Sequence, residues 1–202
     1  MIIDLYKTIG EDLVRAGHIT GSNIELLGSH YELLNLDLLG QLGESRDDFI
    51  AYLEDLDYPL ERKAAEERFH YEKLYSTLSH AIAENYFYLK EDFVGSRRFI
   101  ALSSDCISCI QCKCLPDRMT IHVFFRSSHY YRLLPVDLLF IMGLPHALLD
   151  SANHIKETFQ ITTWSELESI KYVDFYLTFG SLHAQSDFGG RVPWISDIWA
   201  AI

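Results

Sequence analysis

The stretch from Ser96 to Asp137, SRRFIALSSDCISCIQCKCLPDRMTIHVFFRSSHYYRLLPVD, constrains this chain most. Apolar and polar side chains alternate along Arg97 to Leu102, Cys106 to Cys114 and Met119 to Arg126. That two-residue period is the signature of strands whose two faces meet different surroundings. Leu115, Pro116, Asp117 and Arg118, between the last two runs, have the chemistry of a hairpin turn. A small sheet is therefore expected here. A cysteine, two arginine sites and a carboxylate are mounted on it or beside it, and strands hold side chains more rigidly than loops do.

The flanks supply helices and further strands. Ile2, Leu5, Tyr6, Ile9, Leu13 and Val14 recur at helical spacing, with Gly17 as a stop. A polar loop leads to a strand from Ile24 to Leu27, and a second run from Tyr31 to Leu36 follows Gly28. Ser45, with Asp47 and Asp48 behind it, reads as a capped helix start running to Leu56. From Pro59 to Glu84 interleaved acids and bases make a solvated helix face opposite an apolar stripe of Tyr71, Leu74, Tyr75, Leu78 and Ile82. Pro135 suits a first helical turn, and Val136 to Leu149 reads as a buried helix with a kink or break at Pro145. Thr162 or Thr163 could cap a short helix through Trp164, Leu167 and Ile170. Tyr172 to Phe179 reads as a last strand, delivering Gly180 to His183. With no repeats or linkers, the expectation is one α+β domain over residues 1–202.

A net charge of −12 argues against a nucleic-acid surface, because duplex binding rests on neutralising phosphates with Lys and Arg. It leaves room for a free nucleotide, which needs only a local arginine cluster. The apolar tract from Leu133 to Leu149 is interrupted by Pro135, Asp137, Pro145 and His146, so a membrane span is not expected there. No signal peptide is recognisable, and a cytoplasmic protein is the expectation. Cys106, Cys109, Cys112 and Cys114 stand close together. On a strand Cys109 points away from the other three, so no metal site is expected. Disulfides between strand neighbours are disfavoured in a reducing compartment.

The central stretch resembles the thymidylate synthase superfamily and, within it, the deoxycytidylate hydroxymethylases. Ser96-Arg97-Arg98 resembles a phosphate-binding Ser-Arg-Arg before a strand, and Cys106 with Gln111 resembles the nucleophile strand. Arg126-Ser127 resembles the main phosphate-binding pair. Pro135 and Asp137 resemble the segment that reads the pyrimidine edge, Asn in the thymidylate enzymes and Asp in the cytidylate ones. Gly180-Ser181-Leu182-His183 resembles a segment contacting the nucleotide sugar. Glu54, four residues before Tyr58, has the spacing of the hydroxymethylase glutamate. The chain departs from the family at His129, where an Asp is usual, at Gln185, where a Tyr is usual, and in its short link from Phe99 to Asp105.

The resemblance implies a thymidylate synthase-like α+β fold, a mixed or antiparallel sheet packed with helices and shortened relative to the family. It implies Cys106 and Glu54 as catalytic residues. Arg126, Ser127, Arg97, Arg98, Gln111, Asp137, Ser181 and His183 would bind substrate. The substrate would be a pyrimidine nucleoside monophosphate, dCMP or CMP, and the one-carbon donor 5,10-methylenetetrahydrofolate. The protein would be a homodimer in which Arg97 and Arg98 reach the opposite subunit's phosphate. Chemically, a thiolate adding to C6 turns the pyrimidine into an enamine nucleophilic at C5, and the guanidinium of Arg126 is expected to lower the thiol pKa. Two alternatives stand beside hydroxymethylation: a weakened relative that binds nucleotides or a protein partner without turnover, and a dUMP methylase.

Overall fold

The computed structural model describes residues 1–20, 23–85, 99–162 and 164–185. Helix α1 (Ile2–Ala16) leads through β1 (His18–Thr20) into β2 (Asn23–Asp37). Helices α2 (Gln41–Asp55) and α3 (Leu60–Glu84) follow, then β3 (Phe99–Leu102), β4 (Ile107–Cys114), β5 (Arg118–Phe125) and the short β6 (Ser128–His129). Helix α4 (Leu134–Thr158), a 3₁₀ turn (Ser165–Ser169) and β7 (Tyr172–Gln185) complete the order. The sheet runs β1-β2-β7-β5-β4-β3, with β6 also on β7. Among the described residues only β5 and β6 lie parallel to β7, and the other pairings are antiparallel. The chain is thus α+β, with a mixed, mostly antiparallel sheet packed with helices.

The expected hairpin forms where the turn chemistry placed it. Leu115 N–H donates to Arg118 O at 2.8 Å, closing β4 on β5. Helix α1 has the expected bounds, but Gly17 ends it for a reason other than a left-handed turn. Its φ is −72°, and a Cβ there would meet Leu13 O at 2.2 Å and Ile24 Cγ1 at 2.6 Å. Glycine lets α1 turn tightly onto β2.

Other elements outrun their sequence signals. The two runs around Gly28 are one strand, β2, which pivots at Gly28 with φ +67°. Helix α2 starts before Ser45, at Gln41, with no side-chain cap, because Leu42 is buried in the core. Helix α4 continues through Pro145 to Thr158. The proline removes the donor for Ile141 O, but α2 and α3 pack along α4 and the ring itself is buried. Instead of a threonine-capped α-helix there is a 3₁₀ turn led by Trp164 without a side-chain cap, and Thr163 lies outside the described residues. By length and composition α4 could cross a membrane, yet here much of it is core, with Leu134, Leu138, Ile141, Leu144 and Leu148 buried.

A line of irregularity crosses the sheet. Register shifts between Ile107 and Cys109 in β4, and inward residues of β7 switch from Val173, Phe175, Leu177 and Phe179 to Leu182 and Ala184 across Gly180. A Cβ on Gly180 would stand 2.9 Å from Arg126 O, so only glycine admits the neighbouring backbone. Bulges of this kind re-aim side chains. Beyond this line lie Cys106, Ser127 and His183.

Candidate active site

Cys106 immediately precedes β4, and its carbonyl accepts the N–H of Arg126 at 2.9 Å. That bond brings the start of one strand to the end of the next. After Ser127 the chain lays β6 beside β7, pairing His129 with His183. Cys106, Ser127, His129 and His183 consequently line one cavity of about 400 Å³. The opposite wall is α3, through Lys63, Glu66 and Glu67, with Arg132 and Leu133 at the side. Three residues expected from separate stretches, Cys106, Ser127 and His183, are brought together here.

The cavity is half-enclosed, and its polar side chains show more apolar than polar surface to it. Ser127 Oγ and His183 Nδ1 stand 3.5 Å apart, and the His129 and His183 rings meet edge to face at 5.1 Å. Burial holds the His183 pKa below its ordinary value, partly offset by Glu25. The Cys106 thiol is pushed up, first by burial and then by the negative charges of Asp137 and Glu67. Arg126 acts in the expected direction but is outweighed. The expected lowered thiol pKa is therefore corrected: a guanidinium on an exposed side chain is screened, whereas desolvation acts on the thiol directly.

Asp137 is only 1% exposed, in the first turn of α4. Tyr71 Oη donates to its Oδ1 at 2.7 Å, and Ser128 Oγ lies 3.5 Å from Oδ2. Burial raises its pKa to about 7, with Glu67 adding to the rise and the Tyr71 and Ser128 hydroxyls opposing it. Desolvation prevails over the helix dipole. Asp137 stands behind the cavity wall and is not among the residues lining the cavity.

The other expected site residues are scattered. Glu54 is exposed near the end of α2 and does not line the cavity. Gln111 pairs with His122 across β4 and β5, and also does not line it. Ser181 donates to Glu25 Oε1 at 2.5 Å, outside the lining. Arg126 is exposed beside the site. Arg97 and Arg98 lie outside the described residues. Among the described residues no group of three His, Cys, Asp or Glu is placed to hold a metal ion.

Lys63, Glu66 and Glu67 were read from sequence as solvated charges. A signal was present: Lys63, Glu67, His70, Tyr71, Leu74 and Leu78 share one helix face, so the charged positions extend the buried stripe. Lys63 is 6% exposed and pairs with Glu66. A second cavity, of about 750 Å³, adjoins the first and shares Lys63, Glu66 and Arg132 with it. Tyr6, Tyr58, Tyr131 and Arg62 add aromatic faces and another cation. Asp57 and Glu66 stand in the same lining, and both Arg62 and Lys63 are paired to Glu66.

No protein-family model matches this chain, and no curated protein matches it.

Proposed function

We propose that this chain is a thymidylate synthase-like transferase that adds a one-carbon group to C5 of a pyrimidine nucleoside monophosphate through Cys106. The convergence of Cys106, Ser127 and His183 in one cavity carries the reading. Those residues belong to three stretches that resemble one family in order and spacing, and a chance resemblance gives no reason for them to meet.

In this reading the Cys106 thiolate forms an S–C6 bond, and the C5=C6 electron pair becomes nucleophilic at C5. Glu67, half-buried on the cavity wall, replaces Glu54 as the carboxylate that moves protons near C5. Ser127 and Arg126 hold the phosphate, His183 faces the sugar, and Arg97 and Arg98 of a second copy complete the phosphate site. The neighbouring cavity, with Arg62, Lys63, Arg132 and its tyrosines, would hold 5,10-methylenetetrahydrofolate, which supplies the one-carbon electrophile when bound. Asp137 has no direct hold on a base in this geometry. A preference for dCMP or CMP over dUMP enters the proposal only through the resemblance.

Deuterium exchange at C5 of dCMP, CMP and dUMP in heavy water tests this without folate. Addition at C6 lets C5 take a deuteron and lose its proton before the S–C6 bond breaks. Exchange is expected with wild type and should fall to background in Cys106→Ser, while Cys109→Ser leaves it intact. Exchange that persists in Cys106→Ser ends the covalent reading. Asp137→Asn should leave the order of preference among the three nucleotides unchanged, because Asp137 does not line the cavity.

One observation favours a second reading, a nucleotide-binding module without turnover: the thiol is pushed up rather than down. Binding of dCMP by calorimetry with no exchange at any pH would select it.

A further inference from the structure

Two adjacent residues of α3 tie it to the parts on either side. His70 reaches Asp105, in the turn between β3 and β4, and Tyr71 reaches Asp137 of α4. His70 is only 8% exposed and continues the buried stripe of Leu74 and Leu78 towards the cavity. Its Nδ1 stands 3.1 Å from Asp105 Oδ2, off the line of a straight hydrogen bond. Among the described residues its Nε2 is buried without a hydrogen-bond partner. A buried imidazole in that state costs stability, where a leucine would simply extend the stripe. Stability therefore does not account for a histidine at this position.

What the histidine holds is the residue immediately before Cys106. The turn around it is closed on itself. Ser103 N–H donates to Ser108 O at 2.9 Å, and Ser103 Oγ donates to Asp105 Oδ2 at 2.8 Å while accepting the Asp105 N–H at 3.1 Å. Hydrogen bonding from Ser103, opposed by burial and helped by His70, holds the Asp105 carboxyl below its ordinary range. At neutral pH that carboxylate can only accept, so His70 Nδ1 carries the hydrogen of the contact. Among the described residues no other ion pair or side-chain hydrogen bond joins this turn to α3.

We propose that His70 is a positioning residue for Cys106: held on Asp105, it fixes the turn that carries the thiol against the α3 wall of the cavity. Glu67 stands one helical turn before His70 and Tyr71 on the same face and lines that wall. The link therefore sets the gap between Cys106 and Glu67, while Tyr71 on Asp137, at 2.7 Å, holds the other flank of the helix. His70 lies outside the cavity lining, so it acts through Asp105. Its effect on catalysis rests on the reaction proposed at Cys106, whereas its hold on the thiol does not.

Two rates read that hold separately. Alkylation of Cys106 by iodoacetamide, followed by mass spectrometry of its peptide, needs no nucleotide. C5 exchange needs the thiol in its attacking position. In His70→Leu the freed thiol gains water, so alkylation should quicken by about threefold or more. Exchange should fall by about tenfold or more, because attack depends on placement. Urea resistance should equal or exceed that of wild type, since Asp105 is half-exposed and stays solvated. Cys112 and Cys114, buried in the core, should stay unreactive. A residue of structural value alone would lower urea resistance and expose Cys112 together with Cys106.

Asp105→Ala should reproduce both rate changes, and the His70→Leu, Asp105→Ala double variant should go no further than either single one. His70→Asn, whose amide can donate from the place of Nδ1, should recover part of both. His80→Leu, at an exposed position of the same helix, should change neither. Two results overturn the proposal: alkylation in His70→Leu within about twofold of wild type, or single effects that multiply in the double variant. Should His70→Leu misfold, unchanged alkylation in Asp105→Ala overturns it equally. Wild type without C5 exchange ends the transferase reading and leaves alkylation to decide the role of His70, so either idea can fail alone.

Discussion

Strands β4 and β5 show the same backbone two different environments. On the covered face Ile110, Cys112, Ile121, Val123 and Phe125 are at most 1% exposed. On the open face their neighbours Cys109, Gln111, His122 and Phe124 remain partly or well exposed. The covered face gives way to a cavity lined by Cys106, Ser127 and His183 beyond the line from the Ile107–Cys109 shift to Gly180, where the alternation slips. Alternation alone thus says which side chains share a face. It does not say which face will hold a site.

The largest expected effect comes from breaking the covered face. Phe125→Ala removes a fully buried ring stacked on Phe179 at 4.3 Å and should cost about 3–5 kcal/mol in urea unfolding. Phe124→Ala, one residue away, should cost under about 1 kcal/mol at protein concentrations too low for association. Equal costs would mean that the open face is covered within a single copy.

The pH dependence of stability sharpens the contrast next. Asp137 has its pKa raised from 3.8 to about 7 in the folded chain. The folded state therefore holds a proton that the unfolded state has lost. The resulting stability is complete below about pH 4 and is lost as pH rises through about 7, an effect on the order of a few kcal/mol. Asp137→Asn should flatten that part of the stability curve. An unchanged slope between those limits would show that Asp137 is not the buried proton.

The smallest effect concerns the cavity. Glu67→Gln removes a negative charge that raises the Cys106 pKa, so alkylation of Cys106 by iodoacetamide should quicken slightly at fixed neutral pH. Glu54→Gln, on an exposed residue outside the cavity, should leave the rate unchanged. The reverse pattern would return Glu54 to the site.

Much of the fold was legible because short-range physics decides it. The apolar spacing of α1, the Pro116–Asp117 reversal between β4 and β5 and the stripe of Leu74, Leu78 and Ile82 on α3 each belong to one element and need no partner to be read. The length of α4 was not legible, since Pro145 is a local stop signal that packing by α2 and α3 overrides. Nor was the union of the runs around Gly28, where a positive φ lets one strand pivot instead of ending.

The candidate site divides in the same way. By itself the sequence determined that Cys106, Ser127 and His183 were worth watching, through order and spacing along the chain. Only the tertiary structure decided that α3 closes the cavity with Lys63, Glu66 and Glu67 while Glu54 and Gln111 fall elsewhere. It also decided that Asp137 is buried against Tyr71 and Ser128, and that desolvation outweighs Arg126 at the Cys106 thiol. Proximity across elements and loss of water depend on how the whole chain packs, and neither is written in the spacing of any one stretch.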